Sequence, residues 1–355
     1  MVAIPDNPSF LIVSLRYIGD VLLSTPLALS IKTHIPNATV DFVVFEGTEG
    51  VLAKNPYVRK VHVIKPGSIS LKTVAKLWRQ YDFSIGGNIS DRTSLFTYIS
   101  GRYSIGLYHH LARGAWWKRR LLSECNFFDG DDHMVPSILT QLKSLQIPPI
   151  PKVLMAFDEQ DSQFAREQLG KGDYVLLHPY SRQQYKYWPA TAWARLAELI
   201  RKQTGFRALF TCSGAANDQE QFRQIQAATK GKLECFPKSF SLSQLAAAIH
   251  QSRGFVGVDT VASHMAAALD VPMVALYGPT RVTCWGPWPN DWIEGEPYKL
   301  ASRMQTRGRI TVLQQSWPCV PCNRERCLIS NRGKMECLEN IEPETVFSCL
   351  KAVFS

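Results

Sequence analysis

The sequence predicts an α/β fold of two domains, each built on a parallel β-sheet. Short apolar, β-branched runs alternate along the chain with segments of helical composition, an order typical of doubly wound sheets. The chain has 355 residues, which is more than one hydrophobic core usually organises. Pro148, Pro149 and Pro151 crowd a short stretch with the composition of an interdomain linker.

The composition argues against a membrane-spanning or secreted protein and favours an anionic partner. The sequence contains no run of 18 apolar residues and no signal-peptide layout at its start, so we expect a soluble, cytoplasmic protein. Its formal net charge of +10 suits a polyanionic partner: nucleic acid, an anionic membrane surface or a phosphorylated glycan. No nucleic-acid-binding module is recognised, so we expect no nucleic acid partner.

The first half of the chain has the pattern of one Rossmann-like domain. Buried strands are predicted in four places and helices in two; the strands are Phe10 to Leu15, Val40 to Phe45, Val61 to Ile64 and Phe83 to Ile85, and the helices are Leu22 to Ile31 and Leu71 to Gln80. Their alternation predicts a parallel sheet.

Asp20 lies at the predicted junction between the first strand and its helix. It belongs to the segment R-Y-I-G-D, in which Arg16 follows the strand and Gly19 permits a tight turn. Ligands of open α/β sheets bind at this carboxyl edge. A helix N-cap is the commoner role for such an aspartate. The fingerprint G-x-G-x-x-G is absent, so the junction does not indicate a dinucleotide site.

The segment from His109 to Arg120 combines four basic residues and two tryptophans with no acidic residue. This mixture fits an anionic membrane interface, with Trp116 and Trp117 at headgroup level, or the phosphates of an acceptor. A solvated loop with its aromatic side chains turned inward explains the pattern as well. No periodicity decides between the two interpretations.

A polar cluster in the second half falls between two predicted strands, Phe255 to Val258 and Met273 to Leu276. Asp259, Thr260 and His264 stand where the first of these strands ends and a helix begins. Unpaired N–H groups at a helix start and the helix dipole both favour an anion, so the cluster predicts a phosphate site. The alternative is a helix cap and a buried core histidine.

A second cluster follows the predicted strand Tyr174 to Leu177. The loop H-P-Y-S-R-Q-Q-Y-K-Y-W-P carries Ser181, Arg182 and Lys186. A hydroxyl donor and a point charge can hold a diphosphate without a metal. The alternative is a solvated basic loop.

Four cysteines near the C-terminus form the pattern C-x2-C-x4-C-x9-C; they are Cys319, Cys322, Cys327 and Cys337. Such a set can close a tetrahedral zinc or iron site, although the spacing is not that of a standard zinc finger. We expect a structural metal or an incidental thiol cluster rather than a catalytic metal.

Three motifs together resemble the ADP-heptose:lipopolysaccharide heptosyltransferases of glycosyltransferase family 9. They are R-Y-I-G-D-V-L-L-S-T-P, H-P-x-S-R with K-x-W-P, and G-V-D-T-x-x-S-H-x-A-A-A-L-D-V-P with L-Y-G-P-T. Their order is that of the family, over nearly the whole chain. The arginine before I-G-D and the segment C-W-G-P-W resemble the subgroup of heptosyltransferase III of the core-oligosaccharide pathway.

The resemblance implies a GT-B fold, in which two Rossmann-like domains face each other across a cleft. Residues 1–155 would then bind the acceptor and residues 156–338 the nucleotide sugar, and residues 339–355 would form a helix packing back toward the first domain. The implied reaction is a metal-independent, inverting transfer of L-glycero-D-manno-heptose from ADP-heptose. The implied acceptor is a heptose or Kdo sugar of the lipopolysaccharide inner core, at the inner face of the cytoplasmic membrane.

The resemblance also implies roles for individual residues. Asp20 matches the proposed general base, and the donor-binding positions are Ser181, Lys186, Asp259, Thr260 and His264. Arg16 and Arg182 are candidates for contacts with the acceptor or with phosphate. Two rival classes stay open. One is a family member that modifies a protein hydroxyl and uses a cysteine-bound metal, and the other is a non-catalytic, basic glycan-binding protein.

Overall fold

The computed structural model divides into two compact units, Met1–Ala156 and Phe157–Ser355. It describes residues 2–67, 71–109, 115–237, 239–292, 295–330, 334–352 and 354. The division falls one residue beyond the predicted boundary. Each unit contains one sheet with helices between its strands.

The first unit contains a six-stranded sheet in the order β3-β2-β1-β4-β5-β6, whose strand pairs are all parallel. The strands are β1 (Ser9–Ser14), β2 (Thr39–Phe45), β3 (Lys60–Ile64), β4 (Tyr81–Gly86), β5 (Gly101–Tyr108) and β6 (Glu124–Phe127). The helices are α1 (Ile18–Leu23), α2 (Thr25–His34), α3 (Leu71–Leu77), α4 (Asp91–Ser100), α5 (Trp116–Leu121) and α6 (Met134–Leu139), with short 3₁₀ helices at Glu49–Leu52 and Thr140–Leu145.

The central strand β1 is apolar because helices cover both faces of the sheet. Phe10 pairs in register with Val40 of β2 on one side and with Phe83 of β4 on the other, and all three are buried. The helix predicted from Leu22 to Ile31 is two helices that meet at Ser24. Pro26 explains the break, because its ring has no N–H and favours a first-turn position.

The second unit contains a seven-stranded sheet in the order β12-β13-β11-β10-β7-β8-β9. Its strands are β7 (Tyr174–His178), β8 (Arg207–Phe210), β9 (Glu234–Cys235), β10 (Gly254–Val258), β11 (Met273–Tyr277), β12 (Met304–Arg307) and β13 (Ile310–Gln314). Only the pair of β12 with β13 is antiparallel among the strand pairs described.

The helices of the second unit are α7 (Glu159–Leu169), α8 (Ala190–Thr204), α9 (Ala216–Ala227), α10 (Leu242–His250), α11 (Val261–Ala268), α12 (Val282–Trp285), α13 (Glu336–Glu339) and α14 (Pro343–Ala352), with a 3₁₀ turn at Gln184–Lys186. Helix α14 packs on α8 and β11, and Arg195 of α8 forms an ion pair of 2.8 Å with Glu344. The predicted packing of the C-terminal helix toward the first domain stays a prediction.

Both sheets place a topological switch point next to the predicted site residues. In the first unit β1 lies between β2 and β4, and in the second β7 lies between β8 and β10. At such a point the chain leaves neighbouring strands in opposite directions, which opens a crevice for a ligand at the carboxyl edge. In the part of the chain that the structure describes, every helix is too short or too polar to cross a bilayer.

Candidate active site

Asp20 lies in the first turn of α1, just beyond the carboxyl end of β1. Its side chain is only 6% exposed. One carboxylate oxygen accepts a hydrogen bond of 3.3 Å from the Tyr17 N–H, and the other lies 3.8 Å from the Arg16 guanidinium. Asp20 therefore supports the start of α1 and holds a charge beside an arginine at the ligand-binding edge. Its role as a base stays a prediction.

The second unit brings Lys186 and Asp259 together. Lys186 ends the 3₁₀ turn after β7, and Asp259 follows β10, which is the neighbour of β7. The distance from Lys186 Nζ to Asp259 Oδ2 is 2.6 Å, and the side chains are 19% and 7% exposed. The ammonium is thus largely withdrawn from water and fixed at the carboxyl edge of the sheet.

Helix α11 begins directly after Asp259. Thr260 is its N-cap residue, in an extended conformation, but no capping hydrogen bond from the Thr260 side chain is seen among the described residues. Ser263 turns inward and donates to the Val258 carbonyl at 2.7 Å. The Ser263 N–H bonds the Thr260 carbonyl at 3.1 Å, but the N–H groups of Val261 and Ala262 have no carbonyl one turn earlier in the helix, so this helix start can bind an anion beside Lys186.

His264 lies within the same cluster and is 7% exposed. Burial lowers the pKa of His264 to about 4; the Asp259 carboxylate opposes this shift and the Lys186 ammonium adds to it. The imidazole is therefore neutral near pH 7, with one nitrogen as donor and the other as acceptor. Its Nδ1 atom is buried and has no hydrogen-bond partner among the described residues.

The lowered pKa of His264 makes the stability of the protein depend on pH. The folded state keeps the His264 imidazole neutral, whereas the unfolded chain takes up a proton at the ordinary pKa of about 6.5. The contribution of His264 to the free energy of unfolding is therefore fully present above pH 6.5 and falls as the pH drops toward 4. This one group should remove about 2 kcal/mol of the free energy of unfolding between pH 8 and pH 5. Urea titrations of wild type and His264→Gln at both pH values measure it. An identical pH dependence in the two proteins would contradict the assignment.

The other residues of the β7 loop occupy the same edge. Ser181 is half-buried, and its hydroxyl accepts a hydrogen bond of 3.4 Å from the Gln183 N–H, while Arg182 is exposed. His178 ends β7 and contacts the Thr211 hydroxyl through Nδ1 at 2.8 Å. Burial lowers the pKa of His178 to about 4 as well. The donor-binding roles of Ser181 and Arg182 stay predictions.

Asp218 was missed by the sequence analysis. It lies in the first turn of α9, after the carboxyl end of β8, and accepts a hydrogen bond from the Ser213 hydroxyl. Burial raises the pKa of Asp218, against the effect of the Ser213 hydrogen bond. The sequence pattern that could have identified Asp218 is the one that identified Asp20 and Asp259: an aspartate that follows the carboxyl end of a strand.

The C-terminal cysteines have unequal environments. Cys319 is exposed, Cys322 and Cys327 are half-buried, and Cys337 is buried. Burial raises the pKa of Cys337 to about 12, and the neighbouring Cys322 and Cys327 add to the shift. In the described residues no group of three or more His, Cys, Asp or Glu side chains is arranged to hold a metal ion, and the zinc or iron site stays a prediction.

The cysteine-rich segment supports a loop at the edge of the sheet. The Asn323 N–H donates to the Pro279 carbonyl at 2.8 Å, and the Asn323 side chain accepts from the Arg281 N–H at 3.2 Å. The Gln314 amide donates to the carbonyls of Gly278 and Thr280, both at 2.8 Å. The loop after β11 is therefore fixed from two sides. Sequence reasoning missed both residues, since neither belongs to a recognised motif.

Solved structures show which fold this architecture has. The chain superposes on a glycosyltransferase family 9 protein from Veillonella parvula with a TM-score of 0.76, at 20% identity, over 98% of this chain and 97% of the other. It superposes on the Escherichia coli ADP-heptose lipopolysaccharide heptosyltransferase II with a TM-score of 0.75, at 20% identity, over 98% of both chains. The predicted GT-B fold is confirmed.

The sequence comparisons give the family. The model of "Glycosyltransferase family 9 (heptosyltransferase)" matches residues 70–295, and the chain belongs to this family. The lipopolysaccharide heptosyltransferase 3 of Escherichia coli K12 is 26% identical over 309 residues, which cover 81% of this chain and 89% of the relative. The predicted family and the predicted enzyme class, a glycosyltransferase, are confirmed.

Proposed function

We propose that the protein transfers L-glycero-D-manno-heptose from ADP-heptose, with inversion, to a heptose or Kdo sugar of the lipopolysaccharide inner core. The observation that carries this proposal is the buried pair of Lys186 and Asp259 beside the start of α11, at the switch point of the second sheet. A cation and unpaired N–H groups at that position suit the diphosphate of a nucleotide sugar. The relatives named above support the choice of sugar and acceptor.

The donor is assigned to the second unit. Lys186 supplies a point charge to the diphosphate, and the first turn of α11, from Thr260, supplies N–H donors. Asp259 holds the ammonium in place at 2.6 Å, and we assign it the contact with the donor sugar. We assign Ser181 and the neutral His264 uncharged hydrogen bonds to the donor. We assign Asp218 the role of accepting hydrogen bonds from the nucleoside.

The acceptor is assigned to the first unit, with Asp20 as general base. Inversion requires a base on the acceptor hydroxyl, on the face opposite the leaving ADP. The Arg16 guanidinium lies 3.8 Å from the carboxylate, beside the proposed base. The exposed Arg182 of the second unit is proposed to contact phosphate.

Negative charge grows on the diphosphate as the bond to the heptose breaks. Lys186 and the α11 N–H groups are fixed before the reaction, so they stabilise the departing ADP without reorganisation. Loss of one such donor in other enzymes costs about 3 kcal/mol, or roughly a hundredfold in rate. No step of this scheme requires a metal ion or another cofactor.

The test is the release of ADP by the purified protein from ADP-heptose, with truncated core lipopolysaccharide as acceptor, with and without EDTA. We expect release that depends on the glycan and is unchanged by EDTA. No release with any core acceptor would contradict the proposal, and release with a protein acceptor would favour the rival activity. Loss of activity in EDTA would show that the reaction needs a metal.

We further propose that the protein acts in the cytoplasm and meets its lipid-linked acceptor at the inner face of the membrane. The support is the carboxyl edge of the first sheet, where Asp20 lies next to an arginine and an exposed tyrosine, Tyr17, that is 46% exposed. No nucleic acid partner enters this proposal.

A further inference from the structure

Four exposed side chains form a continuous patch at one end of the first sheet. We call it the aromatic-basic surface; it consists of Trp116, Arg119 and Arg120 of α5 and Phe127 of β6. Trp116 is 67% exposed and Phe127 is 50% exposed. Both arginines are exposed. Exposing large aromatic side chains to water is unfavourable in free energy, and such exposed groups mark interaction sites.

The members of the aromatic-basic surface are held together by ring contacts. The Arg120 guanidinium carbon lies 6.0 Å from the Trp116 ring centroid. The Arg119 guanidinium carbon lies 5.4 Å from the ring of Tyr108, which is 5.6 Å from the ring of Phe127. The ring contacts therefore form two groups, Arg120 with Trp116 and Arg119 with Tyr108 and Phe127. Residues 110–114 of the basic segment noted in the sequence lie outside the described residues.

The aromatic-basic surface belongs to the same sheet edge as Asp20. Phe127 ends β6 and Tyr108 ends β5, and both strands run parallel to β1, whose carboxyl end leads to Asp20. Carboxyl ends of parallel strands share one edge of a sheet. The surface thus lies on the side of the first unit where the acceptor is proposed to bind.

Of the carboxylates near the surface, that of Asp91 is paired with a cation, and the others have hydrogen-bond donors that do not cancel their charge. Asp91 pairs with the buried Lys118 at 2.8 Å, and Asp129 accepts hydrogen bonds from the N–H groups of Asp131 and Asp132. The Tyr103 hydroxyl donates to Glu124 at 3.3 Å. On α5 itself Lys118 is taken up by Asp91, and the two exposed guanidinium groups of Arg119 and Arg120 make the α5 side of the surface favour an anionic partner.

We propose that the aromatic-basic surface docks the first unit on an anionic lipid bilayer. Trp116 enters the headgroup region, where its amphipathic ring is favoured, Phe127 inserts as an apolar ring, and Arg119 and Arg120 contact lipid phosphates. A juxtamembrane basic residue contributes about fivefold to binding of an anionic membrane, so the two arginines contribute about thirtyfold. The function of this docking, which is to bring the site to a lipid-linked acceptor, rests on the proposed function. The binding of the aromatic-basic surface to the bilayer does not depend on it.

The test is flotation of the full-length protein with vesicles of phosphatidylcholine alone and with vesicles that also contain phosphatidylglycerol. Donor and acceptor are absent, so the result is independent of transfer activity. We expect binding to the anionic vesicles only, reduced about thirtyfold in Arg119→Gln/Arg120→Gln and at least fivefold in Trp116→Ala. Circular dichroism of each variant confirms that it is folded.

A matched control is available in the same unit. Trp78 is 50% exposed and has the Arg79 guanidinium 5.9 Å from its ring, but it precedes β4 and so lies at the opposite edge of the sheet. Trp78→Ala should float as wild type does. Equal binding to both kinds of vesicle, unchanged binding in the arginine variant, or an equal loss in Trp78→Ala would overturn the proposal. Preferential binding to single-stranded RNA in competition with the vesicles would also overturn it.

Discussion

Replacement of Asp20 by asparagine is expected to lower the turnover number about a thousandfold and to leave the affinity for the donor within about twofold. General base catalysis contributes about a hundredfold to ten-thousandfold, and the amide cannot accept the proton. The amide oxygen can still accept the hydrogen bond from the Tyr17 N–H, so the start of α1 should persist. Single-turnover rates and calorimetric titration with ADP measure the two quantities.

The control for Asp20→Asn is the same change at Asp82. Asp82 lies near the amino end of β4 and accepts hydrogen bonds from Ser9, on the edge of the sheet opposite Asp20. Asp82→Asn should keep full turnover. A loss of turnover in Asp20→Asn that is matched by an equal loss of ADP affinity or by a lowered melting temperature would assign Asp20 a structural role alone.

The fold was predictable where a strand is buried on both faces. β1 and β10 are nearly continuous apolar runs, because helices cover both sides of each sheet. β6 has the sequence E-C-N-F and was missed, since an edge strand is partly exposed and needs no such run. α4 was also missed, because it buries polar residues. Ser94 and Ser100 of this helix donate to carbonyls one turn earlier, which satisfies them without an apolar face.

The sequence predicted the individual residues of the candidate site, but it did not predict which of them contact each other. Asp259 and Lys186 each follow an apolar strand, and this position singled them out. Their contact depends on the adjacency of β7 and β10, although β8 and β9 come between them in the chain. Strand order is set by how helices pack on the sheet, which a single sequence does not show. The cysteine spacing predicted a structural metal or an incidental thiol cluster, and spacing alone does not show that Cys337 is buried while Cys319 is exposed.

Removal of Lys186 is expected to affect activity and stability together. Lys186→Met takes away the cation that faces the departing ADP, so the value of kcat/KM should fall at least a hundredfold. It also leaves the Asp259 carboxylate buried without its partner. Breaking a fully buried ion pair costs 3–5 kcal/mol. Because Lys186 is 19% exposed, we expect about 2 kcal/mol here.

The double variant Lys186→Met/Asp259→Leu separates the two effects. An apolar pair of similar volume removes the uncompensated charge, so the free energy of unfolding should return to near the wild-type value, whereas transfer should stay at the level of the single variant or below it. Urea titration and the ADP-release assay measure the two quantities. Lys202→Met, the same change in the exposed pair with Glu198, serves as the control. If the double variant regained activity along with stability, Lys186 would be a structural residue and the diphosphate would need another cation.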